Sequence, residues 1–483
     1  MTRILILSAF IVSALIIVFV PIFVSPEYVS AYGQITFFDT TQAILLCGVG
    51  ASVVGLLAYK SQLRPQLLLQ IFLAGLLLRM IVGSVIFVFH AQTFFGGDAF
   101  TYDWLGFEQM LAWAGDRAAA SQINGYLARV GAPWGMVYFV GAVYSLTGRN
   151  MLAVQFINAV LGAATAPLIF HCAYAVTSNT KVARLAAMGV AFMPSLVLWS
   201  SQELKDGPMM FFLALSIFAT LRLGQEFTAR HLLSLISALL CVLAFRFYVF
   251  YMLLAAIIGA FLIGMRPMTA QSLSRQLVVM TLIGISLTYF GVTRYASSQF
   301  DAFGSLQVVQ SSRSDQAQSA DSGFGKGADV STATGALTTI PIGLANLFFA
   351  PFPWQLTSLR QAITMPEMLV WWGSFPMLIL GLWYSTRYRL RQVFPVLLFT
   401  LMLSLAYSVF QGNVGNAYRE RAQLLIFYFI FVAVGYVLMR EHHEMIVASA
   451  RLAASDRQFK RPAVPATPQH QTAKTAVVTT PIQ

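Results

Sequence analysis

The chain has 483 residues, of which 58% are apolar and only 10% are charged. Soluble domains usually carry about 25% charged residues, so this composition excludes an ordinary soluble enzyme. The net charge of +12 is attributed to positive loops on the cytoplasmic face of a membrane protein rather than to contacts with nucleic acid. We therefore predict an all-α fold, namely a polytopic transmembrane helical bundle.

Twelve apolar runs approach the length of about 20 residues that a helix needs to cross a bilayer. They lie near 4–24, 41–59, 67–90, 151–175, 183–200, 207–222, 231–246, 247–265, 275–293, 367–385, 392–409 and 421–440. Arginines and lysines occupy alternate loops, which places both termini in the cytoplasm. This map requires that two shorter apolar pieces, 131–147 and 336–354, are juxtamembrane or re-entrant segments.

The spans and loops divide the chain into five regions. These are the N-terminal spans 1–66, a membrane core 67–293 with the outer loop 91–150, a flexible outer loop 294–366 with a re-entrant segment, the C-terminal spans 367–440 and a disordered cytoplasmic tail 441–483. The Ser-, Asp- and Gly-rich part of the second outer loop is either a lid that becomes ordered on substrate binding or a plain connector.

The first candidate site opens the loop that follows the apolar run 67–90. Gly96 and Gly97 allow the backbone to turn sharply as it leaves the helix. The carboxylate of Asp98 then lies at the mouth of a hydrophobic helix, where a charge is costly and often functional. Alternatively, Asp98 is the N-cap of a helix over 99–113. The nearby residues predicted to bind substrate are Tyr102 and Asp103.

A second polar cluster separates two later apolar runs and contains Glu203, Lys205 and Asp206. Asp206 suits an N-cap and Pro208 suits the first turn of the next helix, which is a sufficient structural explanation for those two residues. A turn this short does not need a Glu, a Lys and an Asp together. A lysine beside two acids is able to hold a phosphate or a metal-bound pyrophosphate, so Glu203 and Lys205 are predicted to bind substrate.

Three arginines are further candidates for substrate binding. Arg246 divides two apolar runs and marks either a tight outer turn or a cation that reaches a lipid phosphate. Arg419 and Arg421 follow a turn rich in Gly and Asn, on the predicted outer face, where arginine favours phosphate binding. The three cysteines and six histidines show no metal-ligand spacing, so the sequence leaves the metal question unknown.

With these motifs the chain resembles the multi-spanning GT-C glycosyltransferases. It is similar to the bacterial members that depend on polyprenyl-phosphate sugars, the group of the dolichyl-phosphate-mannose protein mannosyltransferases and aminoarabinose transferases. The residues that carry the resemblance are Gly97, Asp98, Ala99 and Tyr102 in the first outer loop, Pro194, Ser195, Ser200 and Asp206 around the second cluster, and the stretch 413–421.

The resemblance implies an integral-membrane glycosyltransferase of hexosyl or pentosyl type. Such an enzyme moves a sugar from a polyprenyl-phosphate carrier to an extracytoplasmic glycan or lipid acceptor in cell-envelope or exopolysaccharide synthesis. It also implies location in a bacterial inner membrane, with the active site on the extracytoplasmic side. By the same resemblance Asp98 is the general base or helps to hold a divalent cation, and Asp206 is a second catalytic acid.

Two alternatives remain open from the sequence. A polymerase or ligase of the O-antigen type is also polytopic, and it would depend on its outer-loop arginines more than on Asp98. A transporter or flippase of lipid-linked sugars would need no catalytic residue. Many transporters are built from two related halves, and this chain has no evident internal repeat.

Overall fold

The computed structural model describes residues 1–95, 97–130, 134–263, 270–292, 304–319, 322–356 and 358–459, together with positions 294, 296 and 299. Gly96 of the first candidate site therefore lies outside the described residues. The chain divides into two compact units, Met1–Val437 and Leu438–Gln483. All candidate site residues belong to the first unit.

Twenty-two helices and no strand form the described part of the chain. The first eleven are α1 (Thr2–Phe23), α2 (Pro26–Tyr32), α3 (Phe37–Tyr59), α4 (Pro65–Val88), α5 (Gln92–Phe95), α6 (Asp98–Trp113), α7 (Arg117–Val130), α8 (Gly135–Thr147), α9 (Met151–Thr177), α10 (Thr180–Phe192) and α11 (Pro194–Ser200). The others are α12 (Asp206–Gln225), α13 (Ala229–Phe245), α14 (Phe247–Ile263), α15 (Ala270–Tyr289), α16 (Leu306–Ser319), α17 (Ala333–Phe349), α18 (Leu359–Ala362), α19 (Met365–Tyr388), α20 (Leu390–Phe410), α21 (Val414–Glu420) and α22 (Ala422–Phe459).

The predicted fold class, an all-α membrane helical bundle, is confirmed. Eight of the described helices are long and apolar enough to cross a membrane, and the bent pair α10–α11 is a ninth candidate. The remaining three predicted spans coincide with the shorter apolar helices α13, α14 and α15. The two ambiguous pieces form α8 and α17, which are shorter than the about 20 residues that a span needs.

The core of the first unit surrounds α9, whose most apolar 18-residue window is 83% buried. Helices α3, α4, α10 and α12 pack along it. By contrast α1 and α3 are only 11% and 17% buried over the same length. An apolar helix left this exposed is typical of one that faces lipid.

The break between α10 and α11 determines where the second polar cluster lies. Pro194 is the first residue of α11, where its missing N–H costs nothing, and the two helices differ in direction by 54°. The buried Glu367 accepts hydrogen bonds from the Ser195 N–H at 2.7 Å and the Ser195 hydroxyl at 2.6 Å. The start of α11 is therefore fixed by a carboxylate from a distant helix.

Helix α9 holds the turn 201–205 that follows α11. The Asn158 side chain donates to the carbonyls of Gln202 and Leu204, both at 2.7 Å. One turn further along α9, a Cβ on Gly162 would lie only 2.4 Å from the Cβ of Ser200. The absence of a side chain at Gly162 thus allows α11 to pack directly on α9.

The third and fifth predicted regions can be compared with the helices of the structure. Helices α16, α17 and α18 occupy much of 294–366, where we predicted a flexible outer loop with a re-entrant segment, and α17 covers most of the re-entrant piece 336–354. The last helix continues to Phe459, so residues 441–459 are helical where we predicted a disordered tail. Residues 460–483 lie outside the described residues. The division into five regions stays a prediction.

Candidate active site

A cavity of about 550 Å³ opens where α5, α6, α11, α18 and α21 approach one another. This volume falls within the range of about 300–1,000 Å³ that is usual for ligand pockets. Its wall includes Phe94, Asp98, Trp199, Arg360 and Arg419. Residues far apart in the sequence thus share one cavity, which makes it the candidate active site.

Asp98 is placed on the cavity wall by the turn before it. Gly97 is the N-cap of α6 and has φ +78°, in the left-handed region that favours glycine. Helix α6 begins at Asp98, so the alternative that Asp98 is the N-cap is wrong. The Asp98 side chain is 54% exposed. It is therefore accessible to a molecule in the cavity.

Arg419 joins the two predicted catalytic acids. Its Nη1 lies 2.6 Å from Oδ2 of Asp98. Its Nε and Nη2 lie 2.8 Å and 2.7 Å from Oδ2 of Asp206. Although burial opposes its charge, Asp206 and Asp98 raise the pKa of Arg419. The Arg419 guanidinium also packs 5.6 Å from the ring of Trp199.

Asp206 differs from Asp98 in being closed off from the cavity. It is only 1% exposed, and it is the first residue of α12 rather than the predicted N-cap. Its other oxygen lies 3.5 Å from Nη2 of Arg246. Arg246, itself 4% exposed, also pairs with Glu420. Three acids, Glu420, Asp206 and Asp98, therefore alternate with two arginines in a chain that ends at Asp98 on the cavity side.

Lys205 and Tyr102 lie beside this chain of charges. Burial, with Arg246 and Arg419, lowers the pKa of Lys205 to about 7, although Asp206 and Glu420 oppose the shift. Burial also raises the pKa of Tyr102 to about 12. Both shifts favour the uncharged form of the side chain.

Asp103 and Glu203 were predicted to bind substrate, but the structure places them in a separate closed cluster. Asp103 pairs with Nη2 of Arg149 at 2.5 Å and accepts a hydrogen bond of 2.6 Å from the Tyr144 hydroxyl. That hydroxyl also lies 3.4 Å from both oxygens of Glu203. Burial, strengthened by the Asp103 charge, raises the pKa of Glu203 well above its usual range. Asp103 is five positions after Asp98 on α6, so the two acids face different neighbours.

Arg421 was also predicted to bind substrate, and the structure places it away from the cavity. It is 1% exposed. Its Nη1 lies 3.2–3.3 Å from the carbonyls of Leu347, Phe348 and Ala350. Arg421 thus satisfies carbonyls at the end of α17. Arg419 and Arg421 are only two positions apart, and side chains at that spacing point in different directions on a helix.

Sequence reasoning missed several residues that position the site. Glu420 balances Arg246, and Glu367 accepts a hydrogen bond of 2.8 Å from the hydroxyl of Tyr418, which lines the cavity. Arg360 enters the wall from α18. The partners of these three residues, namely Arg246 for Glu420, Tyr418 for Glu367 and Phe94 for Arg360, all lie more than 50 positions away in the sequence. A charged residue close to the end of an apolar run was the signal available for Glu367 and Glu420.

The loop before α17 is attached to the turn that carries Arg419. Gly323 forms an isolated bridge with Asn413, and the Ser322 hydroxyl donates to the Asn413 side chain at 2.8 Å. The buried Arg313 of α16 donates to the Val409 carbonyl at 2.9 Å. Ser322 and Asn413 both line the cavity. Part of the second predicted outer loop therefore forms one side of the candidate site.

The arrangement of acids can be compared with what a divalent cation needs. Such ions prefer several oxygen ligands around one point. The guanidinium of Arg419 lies between Asp98 and Asp206. Among the described residues no group of three or more acidic, histidine or cysteine side chains is placed to hold a metal. In this arrangement the residues do not fit a bound divalent cation.

Comparisons with known proteins bear on a part of the chain that includes Asp206 and Arg246 but not Asp98, Arg360 or Arg419. Residues 132–290, which include α8 to α15, match the model of the dolichyl-phosphate-mannose-protein mannosyltransferase family. No curated protein matches the chain. Among solved structures, the apo form of the Archaeoglobus fulgidus oligosaccharyltransferase is similar at 14% identity and a TM-score of 0.36, over 65% of this chain and 43% of that chain. The chain thus spans less than half the length of that enzyme. The predicted resemblance to the GT-C polytopic glycosyltransferases is confirmed by the family match over residues 132–290.

Proposed function

We propose that this chain is an integral-membrane glycosyltransferase that transfers a sugar from a polyprenyl-phosphate carrier to a glycan or lipid acceptor. The acceptor is extracytoplasmic, and the reaction belongs to cell-envelope or exopolysaccharide synthesis at a bacterial inner membrane. The match with the mannosyltransferase family supports the reaction class. A carrier lipid in the bilayer provides the donor without a nucleotide-binding domain.

The observation that carries this proposal is the Asp98–Arg419–Asp206 arrangement at the cavity wall. Asp98 is 54% exposed and ends the chain of charges on the cavity side, whereas Asp206 is 1% exposed. A general base must reach its substrate, so Asp98 is suited to that task. Asp206 orients Arg419 through a hydrogen bond from Nε and an ion-pair contact with Nη2, and it is therefore a positioning residue.

The reaction follows from these positions. The oxygen of the acceptor hydroxyl forms a bond to the anomeric carbon while its proton moves to the Asp98 carboxylate. The bond between the anomeric carbon and the carrier phosphate oxygen breaks, and its electron pair stays on the phosphate. Cations at the cavity wall stabilise the charge that develops on that phosphate. The products are the glycosylated acceptor and polyprenyl phosphate.

Asp98→Asn tests the proposal because it keeps the size of the side chain and removes the basic oxygen. We expect a loss of transfer of about a hundredfold or more, the usual contribution of a general base. The assay supplies the purified protein with short-chain polyprenyl-phosphate sugars, among them the mannose form. Glu108→Gln, an acid-to-amide change on the same helix, is the matched control.

Retained transfer in well-folded Asp98→Asn would contradict the proposal. It would favour the polymerase or ligase alternative, in which the arginines carry the reaction. The structure weighs against that alternative, because Arg246 is engaged by Asp206 and Glu420 and Arg421 by backbone carbonyls.

A further inference from the structure

The cations first predicted to bind a phosphate are already engaged within the protein. Arg246 contacts two carboxylates, and so does Arg419. Arg421 is buried against backbone carbonyls. Three acids, Asp98, Asp206 and Glu420, therefore face two arginines and Lys205, whose pKa lies at about 7. This cluster is close to neutral and has little charge left to attract an anion.

Arg360 is a cation on the cavity wall that lies outside this cluster. Among the described residues that line the cavity, Asp98 is the single acid, and Arg360 and Arg419 are the two cations. The Arg360 side chain is exposed. No carboxylate of the described residues lies within ion-pair distance of it. Its positive charge thus faces the cavity without a counter-ion among the described residues.

The surroundings of Arg360 place this charge in the same cavity as the proposed base. Its guanidinium carbon lies 5.5 Å from the ring centre of Phe94, four positions before Asp98. Stacking of this kind holds a guanidinium plane while its N–H groups stay available. The amide side chains of Asn413 and Asn416 line the same cavity.

We propose that Arg360 forms the phosphate-binding end of this cavity and contacts the phosphate of the polyprenyl carrier, which is a diester in the sugar donor and a monoester in the released product. A guanidinium is matched to phosphate because two of its N–H groups bind two oxygens at once. The sugar then lies between Arg360 and Asp98, with the acceptor hydroxyl on the Asp98 side. This inference rests on the proposed function for the identity of the carrier.

A binding measurement tests the inference without any turnover. The full-length protein in uncharged detergent is titrated with a short-chain polyprenyl monophosphate, and with the corresponding polyprenol as the reference that lacks the phosphate. Arg360→Gln should weaken polyprenyl phosphate binding about tenfold or more, because it removes a charge-assisted pair of hydrogen bonds. Binding of the polyprenol should not change. Arg360→Lys should recover part of the affinity, since it keeps the charge but not the paired geometry.

The matched control is Arg117→Gln, at an exposed arginine that does not line the cavity. Unchanged polyprenyl phosphate binding in Arg360→Gln, or an equal loss for the polyprenol, would overturn the inference. Competition by inorganic phosphate at equal concentration would assign the site to free phosphate. An effect seen only with vesicles that contain phosphatidylglycerol would make Arg360 a headgroup anchor. Both of these results also overturn it.

The two proposals can be refuted independently of each other. Normal phosphate binding by Arg360→Gln together with loss of transfer in Asp98→Asn would leave the glycosyltransferase proposal standing and remove only the role of Arg360. Loss of binding in Arg360→Gln with full transfer in Asp98→Asn would leave a phosphate site without the proposed base.

Discussion

Helix α6 is linked to the segment 201–206 twice, once through Arg419 and once through Tyr144, and the two clusters differ in their charge and exposure. At the first, Asp98 and Asp206 share Arg419, and Asp98 is 54% exposed. At the second, Asp103 and Glu203 lie around the Tyr144 hydroxyl and have side chains at most 2% exposed. In the first cluster Asp98 and Asp206 are paired with two arginines, Arg246 and Arg419. In the second cluster Arg149 is the arginine that pairs with Asp103.

Helix α6 and the segment 201–206 therefore contribute to both a closed cluster and an open cluster. In the closed cluster burial and the Asp103 charge raise the pKa of Glu203, which favours its protonated form over a second buried negative charge. That cluster links α6 to the turn 201–205 through the Tyr144 hydroxyl. In the open cluster Arg419 contacts both acids, and one of them faces the cavity. The proposed chemistry therefore belongs to the open cluster and the proposed positioning to the closed one.

Asp206→Asn should give the largest effect, because it breaks the open cluster at its buried centre. Removing one partner of a buried ion pair typically costs about 3–5 kcal/mol. We expect about 3 kcal/mol here, since Arg246 keeps Glu420 and Arg419 keeps Asp98. Transfer should fall together with thermal stability. Glu226→Gln, at the exposed end of α12, is the control, and an unchanged melting temperature in Asp206→Asn would refute the central place given to Asp206.

Asp103→Asn should give an intermediate effect and separates positioning from chemistry. It weakens the ion pair with Arg149, which is 31% exposed, so we expect a loss of about 1–2 kcal/mol. The side chain does not line the cavity. Transfer at a temperature where the variant is folded should therefore fall less than in Asp98→Asn. A loss of transfer as large as in Asp98→Asn, with stability unchanged, would mean that Asp103 takes part in the reaction.

Glu203→Gln should change the free energy of unfolding least of the three variants at acid pH. Its effect on stability should also depend on pH. The folded chain holds the Glu203 proton more tightly than the unfolded chain, because the pKa is raised. Stability is therefore unaffected below the ordinary carboxyl pKa of about 4.3. Above it stability falls with increasing pH, by at most about 1.4 kcal/mol per pH unit, until the folded pKa is passed. Glutamine imitates the protonated acid and removes this slope.

Thermal unfolding at pH 5 and pH 8 measures the difference. At pH 5 the variant and the parent should agree to within about 1 kcal/mol, and at pH 8 the variant should be relatively more stable. A destabilised variant at both pH values would show that Glu203 is charged in the folded chain. That outcome would remove the contrast between the two clusters.

Much of the bundle follows from the sequence because a bilayer imposes its own length on a helix. All twelve apolar runs became helices, and the Gly97–Asp98 turn was placed at the start of α6. The glycine could be interpreted locally because its positive φ depends on its own backbone. The cap roles of Asp98 and Asp206 were wrong by one position, since helix ends depend on backbone geometry that composition does not specify.

The partners of the charged residues could not be predicted in the same way. Arg419 and Arg421 lie two positions apart in one motif, yet the first faces the cavity and the second the end of α17. Asp98 and Arg419 are 321 positions apart and meet only because α6 and α21 close on the same cavity.

Hydrophobic length and turn chemistry act over about 20 residues, so the membrane bundle, its helices and the segments of Asp98, Asp206 and Arg419 could be predicted from the sequence. Packing in three dimensions settles which acid contacts which arginine, which cluster is closed and which cation faces the cavity. Those choices depend on the packing of α9, α11 and α12 and on helices brought together from distant parts of the chain. A charge interacts across space rather than along the chain, so its partner is fixed only when the helices have packed.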